Sequence, residues 1–152
     1  SDRVVGWLTE FRADPRWRVA RSGYPTHGDF DLLLMEVAHC HWLETLLRQL
    51  AQGQPGPGGG DLAACRLMDW CQDVEIRSQF GHLAEFREID TAHRRVHEVA
   101  AALRATAGSD PLANLVEGTA VLQAAHAELI LRLHAFRLAQ GRESVTRQRK
   151  EK

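Results

Sequence analysis

Steps of three and four between apolar residues run through this sequence, and that spacing is what most narrows its fold. Val4, Trp7, Leu8 and Phe11 fall on one face of a short helix, which Asp14-Pro15 ends. A second helix is predicted from about Phe30 to Gln52, capped by Asp29, with Leu32, Met35, His39, Trp42, Leu43, Leu46 and Leu50 on one stripe. A third and shorter one, capped by Asp61, covers about Leu62 to Asp73 and carries Cys65, Leu67, Met68, Trp70 and Cys71. A break near Ser78 to Gly81 precedes a fourth, from His82 to about Thr106, whose stripe is Phe86, Ile89, His93, Val96, His97, Ala100 and Leu103. Gly108 suits the left-handed position past its end, and Ser109-Asp110-Pro111 reads as the start of a fifth. That helix runs to about Gln140 with Leu115, Thr119, Leu122, His126, Leu129, Leu133 and Phe136 inward. No segment alternates as a strand would, and no longer period repeats. Apolar stripes of this kind are buried most simply by facing one another. The expected fold is all-α: an antiparallel four-helix bundle with an additional short helix that carries Cys65.

Composition divides the chain into three parts. Residues 1–29 form an N-terminal extension with the short first helix, and residues 30–140 form the bundle. Residues 141–152 form a polar tail with five basic and two acidic residues, read as frayed helix or disorder, with Gly141 ending or bending the helix before it. Within the bundle, Gln52 to Gly60 (QGQPGPGGG) is too rich in glycine and proline for helix or strand and serves as a flexible connection. At 152 residues, 44% apolar and 26% charged, the chain fits one globular domain with a core. A net charge of −1 offers no nucleic-acid or membrane-surface footprint. No apolar run reaches the roughly 20 residues of a membrane span, and the first residues lack the charge-then-apolar pattern of a secretory leader. Three cysteines at irregular spacing make a poor disulfide framework and favour a reducing, cytoplasmic setting.

There, cysteine near histidine reads as a metal site. His93 and His97 lie one turn apart on one helical face and can reach a single ion. A closed zinc site takes four nitrogen and sulfur donors, so two more must come from other helices. His39 is the histidine on the apolar stripe of the second helix, whereas His41 lies about 200° around the axis and Cys40 about 100° away. Cys65 sits early in the third helix, where the N-terminal dipole favours thiolate. Cys71 is too far along to share the ion with it. The expected ligands are His39, Cys65, His93 and His97, the expected cofactor is Zn2+, and His126 is a reserve. Four protein ligands leave no open position for a substrate, which argues against catalysis. Asp90, one turn before His93, is placed either to orient its imidazole or simply to face solvent.

AHCHWL (38–43), CRLMDW (65–70) and DTAHRRVH (90–97) appear in an order and spacing that resemble the chemoreceptor zinc-binding domain family. Twenty-five residues separate His39 from Cys65, and 27 separate Cys65 from His93. The likeness spans about residues 30 to 140 and is similar in particular to the amino-terminal zinc domain of a bacterial diguanylate cyclase. One departure is Met68, where the family carries a glycine; it bears on the close packing of the short helix. The resemblance implies a zinc-regulated helical sensory domain, usually a homodimer, acting on an attached or partner output such as a diguanylate cyclase or a chemoreceptor.

Two readings of other classes stand beside it. Glu36-x-x-His39 and Asp90-x-x-His93 place a carboxylate one turn before a histidine on two helices, as in di-iron oxidases of the bundle type. Such a site would also need Asp69, Glu117 or Glu128 to face inward. The other is a dimerising helical module whose histidines bind nothing.

Overall fold

The computed structural model describes residues 27–53, 65–107 and 112–150, and the regular secondary structure of those residues is helix, with no strand among them. Five helices follow in order: α1 (His27–Ala51), α2 (Arg66–Gln72), α3 (Val74–Phe80), α4 (Ala84–Thr106) and α5 (Leu112–Lys150). The expected helix around Val4 to Phe11, the glycine-rich connection and the Ser109-Asp110 cap lie outside the described residues. The chain divides into two compact units, Ser1–Thr45 and Leu46–Lys152.

Of the first unit, the described part is the leading portion of α1. It begins at His27, three residues ahead of the expected start, so Asp29 lies in its first turn rather than at its cap. Leu32 and His39 are buried, and the His39 ring meets the Trp42 ring edge-on at 4.9 Å. α1 ends at Ala51, and Gly53 takes the left-handed conformation at φ 65°, a position without strain only for glycine.

In the second unit α4 and α5 pack along their length. Glu88 on α4 pairs with Arg132 on α5 at 2.9 Å, Phe86 meets Phe136, and Leu103 lies against Gly118, so the two helices run antiparallel. All seven residues of the expected α4 stripe are buried. On α5 the buried face is Leu122, His126, Leu129, Leu133 and Phe136, continued by Ala139. α2 also runs antiparallel to α4, with Cys65 at His93 and Trp70 at Phe86.

Three boundaries differ from expectation. The single short helix is two, because Asp73 ends α2 and caps α3: its carboxylate accepts the amides of Glu75 and Ile76 at 2.9 and 3.0 Å. Of the expected break near Ser78 to Gly81, Ser78 to Phe80 lie inside α3 and the chain leaves helix at Gly81 to Leu83, so α4 starts at Ala84 and not at His82. The polar tail is not frayed: α5 continues as helix through Gly141 to Lys150. Arginine, glutamine, glutamate and lysine are good helix formers, so a polar composition here dictates exposure rather than disorder.

The two glycines of α5 face opposite situations. A Cβ on Gly141 would meet nothing within 4 Å, whereas one on Gly118 would collide with the Leu103 Cδ2 atom. Gly141→Ala is expected to stabilise the chain by about 1 kcal/mol through helix propensity. Gly118→Ala is expected to lose that gain by displacing Leu103. Thermal melts of the two variants should therefore move apart, and equal upward shifts would contradict the close approach.

Candidate metal centre

α4 places His93 and His97 on its buried face, one turn apart, with their Nε2 atoms 3.1 Å from each other and their rings nearly perpendicular. Cys65 is the residue before α2, in extended backbone (φ −86°, ψ 122°), and not inside a helix as expected. From there its Sγ lies 3.3 Å from the His93 Nε2. His39 lies on the buried side of α1 in the first unit, while in the second unit the Cys65 Sγ and the Nε2 atoms of His93 and His97 form one cluster.

The donor set fits a tetrahedral zinc ion. With Zn–N near 2.0–2.1 Å and Zn–S near 2.3 Å, adjacent donors sit about 3.3–3.6 Å apart. The measured separations within the second unit fall at or just below that spacing.

Electrostatics favour ligation at His93. Burial, then the neighbouring His97 and Arg94, push its pKa from 6.5 down to about 3, which leaves a neutral imidazole able to give a lone pair. At Cys65 burial raises the thiol, and Asp69 adds to this, while the Met68 and Leu67 amides at the head of α2 oppose it. A cation beside the sulfur would tip that balance to thiolate.

The other sequence candidates lie elsewhere. Cys71 is buried and its thiol is pushed up to about 12 by burial and then by the Asp90 charge, so it behaves as a small core residue. His126 is buried on α5 but is not part of the group. The Asp90 carboxylate takes Arg94 at 3.3 Å. Among the described residues, the metal-capable group contains no carboxylate, so Glu36, Asp69, Asp90, Glu117 and Glu128 do not assemble a di-iron set. Glu128 is engaged by Arg132 at 2.7 Å.

Two supports were not anticipated. Met68, in place of the family's glycine, is buried, with its sulfur 4.0 Å from the Arg94 Nη2, so α2 lies against α4 with the longer side chain accommodated. Phe80 joins Trp70, Phe86 and Phe136 in an aromatic cluster, with ring centroids 5.2 to 6.2 Å apart. The first contact carries no signature in a single sequence. The second was hidden by reading Ser78 to Gly81 as a break.

The His93 shift has a pH consequence for the metal-free chain. Its folded pKa lies below its unfolded value, so between about pH 6.5 and 3 the unfolded chain binds the extra proton. Stability from this residue is present above pH 6.5 and declines as pH falls towards 3. Melting temperature of the chelator-treated chain should drop across that interval, and His93→Gln should flatten the dependence. An unchanged slope in that variant would contradict the burial of a neutral imidazole.

Among the described residues, no helix is long and apolar enough to cross a membrane. No curated protein and no solved structure matches the chain. A family model does match, over a segment that opens on His39, closes on Leu103 and contains all four donors. Residues 39–103 are thus similar to the chemoreceptor zinc-binding domain, the description that family model carries.

Proposed function

We propose that His39, Cys65, His93 and His97 hold one zinc ion per chain, and that occupancy of this site, or oxidation of Cys65, sets the state of a signalling output. The observation that carries the reading is the cluster of the Cys65 sulfur with the His93 and His97 ring nitrogens, at 3.3 and 3.1 Å, inside a segment that opens on His39 and matches a zinc-binding family model. When bound, zinc would supply a cross-link among its ligand side chains and would hold Cys65 as thiolate. The chain's own residues do the rest. Cys65 stands at the head of α2, so its position and that of the α2–α3 pair move together. Trp70 on α2 touches Phe136 on α5 at 5.5 Å, which gives a displacement of α2 a direct route to the longest helix.

The output lies outside the residues described, in an attached or partner module such as a diguanylate cyclase or a chemoreceptor. The domain itself is not an enzyme, since four protein donors close a tetrahedral site against substrate. It works as a homodimer in the cytoplasm, where its three cysteines remain free thiols. Cys65 is the point at which an oxidant would act, because a thiolate ligand is also the most oxidisable group of the four.

Elemental analysis of the purified chain should give one zinc. Cys65→Ala and His97→Ala should each lower that stoichiometry and shrink the metal-dependent rise in melting temperature. If both variants keep a full complement of zinc, the ligand assignment fails.

A further inference from the structure

α5 carries a second apolar stripe, about 150° around the axis from its buried face. Ala120, Ala124, Ala127, Leu131 and Leu138 are all exposed, and Leu131 and Leu138 are 62% and 70% so. His134 and Gly141 complete an alternation of four and three residues from Glu117 to Gly141. This is the spacing of a coiled-coil seam, on a helix whose opposite side already forms the core. The stripe from Ala120 to Leu138 is about 27 Å long.

We infer that this seam pairs with the same seam of a second copy, and that the two α5 helices run antiparallel. The inference rests on the proposed homodimer and supplies its interface and direction. Size carries the direction. The first half of the stripe is small (Ala120, Ala124, Ala127) and the second half large (Leu131, Leu138). Antiparallel pairing about a two-fold axis sets Ala120 against Leu138, Ala124 against His134 and Ala127 against Leu131, so each layer has one small and one large partner. Parallel pairing would stack alanine on alanine at one end and leucine on leucine at the other, and one helix spacing cannot satisfy both.

Charge agrees with size. Exposed Glu117 borders the small half and exposed Arg142 the large half. In the antiparallel pair Glu117 meets Gly141 and its neighbour Arg142 of the other copy, twice by symmetry. In the parallel pair Glu117 would face Glu117, and Arg142 would face Arg142.

Sedimentation equilibrium of the 152-residue chain tests this, with circular dichroism and zinc content read on each variant. The wild-type chain is expected to be a dimer, and Leu131→Glu to weaken it at least about tenfold with helix and zinc content unchanged. Glu117→Arg should weaken association and Glu117→Arg/Arg142→Glu should restore it, because only antiparallel pairing exchanges both signs at one contact. A dimer that tolerates Leu131→Glu would overturn the seam while leaving the homodimer standing. A dimer that loses association with Leu131→Glu but ignores Glu117→Arg would overturn the direction. A wild-type monomer would remove both the homodimer and the seam, and the zinc content would show whether the metal reading survives.

Discussion

The contact on which the rest depends is the meeting of Cys65 with His93, 3.3 Å apart in a part-buried setting. Burying imidazoles is unfavourable unless their polar atoms are engaged. This chain nevertheless places His39, His93, His97 and His126 where none is more than 6% exposed. Two of them, His93 and His97, cluster with Cys65. Leucine at those positions would give a more ordinary core. Imidazole and thiol there give the core donor atoms, so an ion bound by the folded chain alone would add to its stability.

Around that contact the structure is built to keep α2 near but not locked. α2 and α3 have seven residues each, α3 has no buried residue, and the two helices share Asp73 as stop and start. Their attachment to the long helices comes from Leu67, Met68 and Cys71 beneath α2 and from the Trp70 and Phe80 rings on Phe136. Short helices with few buried residues open more readily than α4 and α5. The sulfur therefore stands at the head of a short helix with three buried residues, while two of the imidazoles sit on a helix with eight.

Much of this was legible from spacing alone. The α4 stripe reads inward at every expected position because three-and-four steps leave a 23-residue helix only one way to face. His39 and the His93–His97 pair stood out because they interrupt apolar stripes. Other features were not legible. Asp73 looked like the end of a helix, and its second role as the cap of α3 depends on a carboxylate geometry that spacing does not reveal. The α5 tail read as disorder because its residues are polar, although polarity opposes burial and not helix. The second stripe on α5 was masked because alanine, which fills half of it, is unremarkable in any helix.

The continuity of α5 has a mechanical meaning. At 39 residues it is about 58 Å long, and more than a third of it runs past Phe136, where Trp70 and Phe80 bear on it. A disordered tail would dissipate any twist applied at Phe136 within a residue or two. An unbroken helix is torsionally stiff, so a rotation of a few degrees at the aromatic cluster reappears at Lys150 with its phase intact. The orientation of the terminal basic side chains then records the position of the residues around Cys65.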